Sequence, residues 1–226
     1  MSIEIYKAGD IPAIRGVLFD MDGLVLDTEK LYSRFWMEAC HFYGYPMTYE
    51  QSLEMRAANS RLGAENLHRF FGPDIDYVTI RNKRIELMDA FIAENGVEPK
   101  PGIFELLDAL EARGIPAAIT SSSPADRIRD HLESLGVYHR FTAICSGYDV
   151  PCGKPAPDIY LHGAASLGLP PEVCLALEDA PLGILSAFRA NCIPVMVPDQ
   201  DQPDAQTQSM LYAKADTLSD IISLLK

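Results

Sequence analysis

Five short runs of continuous apolar sequence constrain this chain more than any other feature: GVLFD (16–20), PAAITS (116–121), TAICS (142–146), VCLALED (173–179) and IPVMVP (193–198). Apolar residues that do not alternate with polar ones suit strands buried on both faces, and hence a parallel sheet covered by helices. The segments between them agree. GIFELLDALEARG, PADRIRDHLESLG, PDIYLHGAASLGL and APLGILSAFRANC are amphipathic, each opens near Pro or Asp, and most close near Gly. This alternation predicts an α/β fold with a doubly wound parallel-sheet core.

One connection is too long for that plan. A strand–helix–strand crossover takes about 30 residues, yet the run ending at Asp20 is followed by the next core run only at Pro116. Residues 102–113 supply the crossover helix, so 29–98 are surplus. The surplus is helical in pattern. TEKLYSRFWMEACHFYG places Leu31, Phe35, Ala39 and Phe42 on one face, and YVTIRNKRIELMDAFIAENG places Ile80, Leu87, Met88 and Phe91 together. The expected organisation is a core of residues 1–28 and 99–226 with an inserted helical-bundle cap domain at 29–98. Pro99, Pro101 and Gly102 punctuate the return.

Composition narrows the function classes. Apolar content of 48% and charged content of 23% are those of a soluble globular protein. No run of about 18 apolar residues is present, so no membrane partner is expected, and the N-terminus lacks the order of a signal peptide. A formal charge of −13 argues against a nucleic-acid polymer. The five cysteines are odd in number and never spaced C-x-x-C, which suits free thiols in a reducing, cytoplasmic setting rather than a zinc site. The five histidines form no metal-binding pair. A monomer is expected.

In open α/β sheets, ligands bind beyond the carboxyl ends of the strands. Those ends here read Asp20-Met21-Asp22-Gly23, Thr120-Ser121-Ser122-Ser123, Gly153-Lys154-Pro155 and Glu178-Asp179. Together they collect acids, hydroxyls and one lysine, the inventory of a phosphoryl-transfer site: carboxylates for Mg²⁺ and attack, donors for phosphate oxygens. Each alone has a blander reading. Asp-x-Asp-Gly is also a turn, Ser121 or Ser123 could cap the next helix, a lone Lys154 is usually solvated, and Glu178-Asp179 could complement a helix dipole. An EF-hand loop from Asp20 fails, because Leu24, Val25 and Leu31 occupy its ligand and glycine positions. Four unrelated turns would rarely supply this set at successive strand ends.

FDMDGLVLDTE, the Ser121 region, GKPAPDIY and LEDAPLGI follow the order of the four motifs of the haloacid dehalogenase-like hydrolases, which the chain resembles over nearly its full length. The insert is similar to the small helical cap of the β-phosphoglucomutase-like subgroup. The resemblance implies Mg²⁺-dependent chemistry on a phosphate ester. Carried over by position, Asp20 is the nucleophile that becomes an aspartyl-phosphate, and Asp22 is the general acid and then base. Ser121, Ser122 and Lys154 hold the phosphate oxygens. Asp20, Asp22 (through its carbonyl), Asp179 and Glu178 form or support the metal site. Within the cap, Arg56, Asn59 and Arg61 are candidate substrate contacts.

Two positions depart from the subgroup: Ala180 stands where Ser is commoner, and Tyr32 stands where its mutases carry His. The leading expectation is a phosphatase of a small phosphorylated metabolite, a sugar phosphate or nucleoside monophosphate. A sugar-phosphate mutase and a catalytically silent binding protein are the alternatives. Dehalogenation needs neither Asp22 nor a metal and is disfavoured.

Overall fold

The computed structural model describes residues 2–7, 13–56, 60–199 and 201–225. Its described strands are β1 (Ile3–Ile5), β2 (Gly16–Phe19), β3 (Ala117–Ser121), β4 (Ala143–Ser146), β5 (Cys174–Glu178), β6 (Ile193–Met196) and β7 (Ala213–Ala215). They form one seven-stranded sheet in the order β1-β7-β6-β5-β2-β3-β4. Every pairing is parallel except that of β1 with β7. β2, β3 and β5 are buried at every position, as the unalternating runs require. The flanking helices are α5 (Ile103–Arg113), α6 (Ala125–Ser134), α7 (Asp158–Ser166), α8 (Pro181–Arg189) and the short α9 (Ala205–Met210). The doubly wound parallel core is therefore as the sequence predicts.

The order of strands explains where chemistry can gather. From β2 the chain runs outward through β3 and β4, then returns to the other side of β2 with β5, β6 and β7. Phe19 is paired with Ile119 on one side and Leu177 on the other. The sheet thus reverses direction at β2, and a crevice opens at such a point beyond the strand ends.

Two short strands toward one edge of the sheet carry no clear sign in the sequence. The lead into the first core strand contains β1, which pairs antiparallel with β7, Ile3 opposite Ala215. β7 itself is only Ala213-Lys214-Ala215. Three residues give too short a pattern to distinguish from coil.

The chain divides into two compact units, residues 1–26 with 98–226, and residues 27–97. The second unit contains α1 (Glu29–Phe42), α2 (Tyr49–Arg56), α3 (Ser60–Phe71) and α4 (Tyr77–Asn95). Its interior is built on Trp36, Ala39, Cys40, Met47, Met55, Leu67, Ile75 and Ile80, beside a second cluster of Phe35, Met88 and Ile92. Asp76 starts α4 by accepting a hydrogen bond from the Thr79 backbone amide at 3.0 Å. Phe42 departs from its expected place on the apolar face of α1. It is 64% exposed, with Tyr43 edge-on at 5.0 Å and the Lys83 ammonium 4.4 Å above its ring. Helical period alone put it inside, but the helix ends there and the core of this unit does not extend past Cys40 on that face.

Candidate active site

Asp20 follows directly on β2 and is buried, its backbone amide donating to the Leu177 carbonyl at 3.0 Å. The chain then turns sharply. The Met21 carbonyl accepts from the amides of Leu24, Val25 and Leu26, and Gly23 sits at φ 84°, the left-handed region that a side chain disfavours. This turn holds Asp22 beside Asp20 at the strand end. Leu26 then bridges antiparallel to Pro99, so the outgoing and returning segments of the core run side by side.

Neighbouring strands bring the other groups. β3 ends in Ser121, β4 in Ser146, and β5 in Glu178, with Asp179 next. Lys154 comes from the loop before α7. Its Nζ lies 2.5 Å from Asp20 Oδ1 and 2.6 Å from Glu178 Oε1. Helix α8 fastens that loop from below: the Ser186 hydroxyl donates to the Ala156 carbonyl, and Arg189 Nη1 donates to the Pro155 carbonyl at 2.9 Å. Tyr160, fully buried on α7, donates its hydroxyl to Glu178 Oε1 at 2.5 Å.

Helix α8 must also make room. A Cβ on Gly183 would stand 1.9 Å from the Glu178 carboxylate, so the acid lies against the bare backbone of the first turn of α8. The glycine in LEDAPLGI is there for this close approach.

Burial sets the electrostatics. It raises the Asp20 pKa to about 8; the Lys154 ammonium pulls it down, but Glu178 and Asp22 push it further up and burial prevails. Burial also works against the charge on Lys154, yet Asp20 and Glu178 outweigh it and hold the ammonium above its ordinary value. Tyr160 is raised well above the usual phenol value by burial first and then by Glu178 and Asp20, so it remains a donor at every physiological pH.

The three serines separate in role. The Ser121 hydroxyl oxygen accepts the Ser123 amide at 3.1 Å and sits buried at the end of β3, its O–H unclaimed by any acceptor among the described residues. Ser122 is exposed. Ser123 is the correction: α6 receives no side-chain cap, and the Ser123 hydroxyl instead donates to Asp22 Oδ2 at 3.2 Å. Ser146 holds it in place by donating to the Ser123 carbonyl at 2.7 Å. Asp22 Oδ1 is buried with no hydrogen-bond partner among the described residues.

Asp20, Glu178 and Asp179 are all buried and each offers an oxygen within 4.8 Å of the others. Three hard oxygen donors gathered out of water, with no Cys or His among them, suit a divalent cation of the Mg²⁺ kind. Asp22 contributes no side-chain atom to this cluster.

The candidate cap contacts belong to the second unit, residues 27–97. Asn59 and the side chain of Arg56 lie outside the described residues. The Arg61 side chain is 89% exposed and paired with Glu65 at 2.9 Å, an exposed pair along one helix face that contributes about 0.5 kcal/mol or less. Replacing Arg61 by Ala is expected to leave the unfolding free energy within about 0.5 kcal/mol of the parent in a urea titration.

Against this geometry, residues 14–191 match the family described as haloacid dehalogenase-like hydrolase. The chain belongs to the haloacid dehalogenase-like hydrolases. Among curated members of the family, it is 33% identical over 192 residues to the probable pseudouridine-5′-phosphatase of Drosophila melanogaster, covering 80% of each chain. It is also 33% identical over 186 residues to hexitol phosphatase A of Escherichia coli, covering 81% of this chain and 82% of the relative. In fold it is similar to the β-phosphoglucomutase of Clostridium difficile, with a TM-score of 0.72 at 24% identity over 92% of this chain and 93% of that one. As a member of this family the chain is a hydrolase, and its buried acidic cluster lies at the strand ends of the shared sheet.

Proposed function

We propose that this chain is a Mg²⁺-dependent phosphatase that hydrolyses a small phosphorylated metabolite, a sugar phosphate or a nucleoside monophosphate, through an aspartyl-phosphate on Asp20. One observation carries the reading: two acids one residue apart have opposite settings. Asp20 is held by the Lys154 ammonium, whereas Asp22 has Ser123 on Oδ2 and an Oδ1 with no partner among the described residues. The first is a fixed nucleophile, and the second is placed to exchange a proton. Membership of a hydrolase family and two phosphatase relatives support the same reaction class, that of phosphoric monoester hydrolysis.

In this scheme an Asp20 carboxylate oxygen bonds to phosphorus as the ester P–O bond breaks, and the departing oxygen takes a proton from Asp22. Asp22 then removes a proton from water, the resulting hydroxide bonds to phosphorus, and the P–O bond to Asp20 breaks to release phosphate. The Ser121 hydroxyl and Lys154 ammonium donate to the non-bridging oxygens. Asp20, Asp179 and Glu178, with the Asp22 carbonyl, would hold Mg²⁺, which supplies charge neutralisation for the phosphoryl group. Residues 27–97, entered just after the nucleophile turn, are then the source of discrimination among leaving groups.

A sugar-phosphate mutase on the same fold is the second reading, weakened at one position. Tyr32 stands at the position of the mutase His, and the Arg84 guanidinium stacks on its ring at 4.7 Å. A bisphosphate requirement for turnover would reverse that judgement.

The metal test has a signed pH dependence. With the Asp20 pKa raised to about 8 without metal, a cation must displace its proton at neutral pH. Magnesium affinity should therefore strengthen as pH rises from 6 to 8, by up to about tenfold per unit, with proton release on binding. Calorimetry in buffers of different ionisation enthalpy measures this directly. EDTA should abolish hydrolysis of an aryl phosphate and Mg²⁺ should restore it. Full activity in chelator, or restoration by Zn²⁺ alone, would sink the proposal.

A further inference from the structure

Glu178 has one more protein partner than charge balance requires. Its Oε1 accepts both the Lys154 ammonium at 2.6 Å and the Tyr160 hydroxyl at 2.5 Å, while no protein donor among the described residues reaches Oε2. The bare backbone at Gly183 lets the carboxylate lie flat against α8, so its position is fixed on three sides. Tyr160 is fully buried, its hydroxyl also hydrogen-bonded with the Thr120 side chain, and the Lys154 ammonium rests 5.3 Å from its ring centre. A phenol turned into the core normally meets a backbone carbonyl or water. Here it meets the carboxylate of a cation-binding group.

We propose that Tyr160 is a positioning residue for the metal site: its hydroxyl ties Glu178 Oε1 to the core and thereby turns Oε2 toward the space shared with Asp20 and Asp179. The inference rests on the proposed Mg²⁺ site and adds a residue to it that touches neither metal nor substrate. Two donors on Oε1 also keep the carboxylate from rotating. A single ammonium, on a flexible stem and shared with Asp20, would allow either oxygen to face the cation. Outer groups of this kind commonly alter metal affinity by 10- to 100-fold when removed.

The test is Tyr160→Phe, which keeps the ring and its packing and deletes only the hydroxyl. Two readouts are taken on the full chain: Mg²⁺ affinity by calorimetry without substrate, and hydrolysis of para-nitrophenyl phosphate as Mg²⁺ is raised to saturation. The expected result is Mg²⁺ affinity weakened threefold or more, with kcat at saturating Mg²⁺ within threefold of the parent. A smaller affinity change overturns the inference. So does a larger kcat loss that Mg²⁺ fails to restore, or a melting temperature in EDTA lowered by more than a few degrees, since each makes the hydroxyl structural. The parent protein reports separately on the metal site. If it binds no Mg²⁺, the phosphatase reading fails first; if it binds and the variant binds equally, only the role of Tyr160 falls.

Discussion

Replacing Asp20 by Asn is expected to remove turnover by about three orders of magnitude or more while leaving a folded protein, because the amide cannot form the phosphoryl ester. The same substitution should stabilise the metal-free protein. Burial raises the folded pKa of Asp20 to about 8, against roughly 4 in the unfolded chain. A raised pKa contributes stability below the unfolded value, and that contribution is lost as pH rises through the folded value. The parent in EDTA should therefore melt progressively below the Asn variant between pH 4 and 8, with the gap levelling off above that. Magnesium should close the gap by engaging the charged form. Near-parent activity of the variant would remove Asp20 from the role of nucleophile. A melting difference that shrinks with rising pH would contradict the electrostatic account.

Gly183→Ala should be almost as damaging, although it adds one methyl group and touches no substrate. The added carbon would stand 1.9 Å from the Glu178 carboxylate, so either the acid or the first turn of α8 must move. If the acid moves, the Lys154 ammonium loses one of two carboxylates and Tyr160 its acceptor. Overpacking costs about 1–3 kcal/mol, and breaking a buried ion pair about 3–5. The expected outcome is a fall of several degrees in melting temperature and a loss of activity of about 100-fold or more. Shortening the acid as well, with Glu178→Asp, should recover part of the stability but not the activity. An alanine variant with the parent's melting curve and rate would show that the contact is not tight in solution.

These two sites illustrate what the sequence discloses. β2, β3, β5 and β6 are legible because strands covered on both faces must be apolar throughout, and the ends of such strands expose their chemistry in order. Asp20, Asp22, Lys154, Glu178 and Asp179 could be singled out for that reason. Gly183 carried a weaker sign: glycine inside a helical pattern costs about 1 kcal/mol relative to alanine, so it asks for a spatial cause, but the sequence does not say which side chain supplies it. Tyr160 carried no sign. In PDIYLHGAAS it counts as one more apolar residue of a buried helix face, and only the packing of α7 over β2, β3 and β4 shows where its hydroxyl ends. Ser123 was divided between capping and chemistry because both use the same atom, and the fold decides by placing Asp22 within reach. Phe42 shows the opposite failure, since periodicity reports direction around a helix and not whether anything lies opposite.

The reversal of strand order at β2 has a consequence for how the protein comes into being. Phe19 emerges from the ribosome well before its partners, Ile119 and Leu177. The central strand therefore waits, unpaired on one edge, until Leu177, 158 residues further on, has been made, and nonlocal pairing of this kind is slow and exposed to aggregation. Asp20 meets Lys154 and Glu178 only after that wait. A nascent or prematurely ended chain stopping before β5 carries Asp20 but neither Glu178 nor Asp179, so the acidic cluster exists only once β5 has joined the sheet.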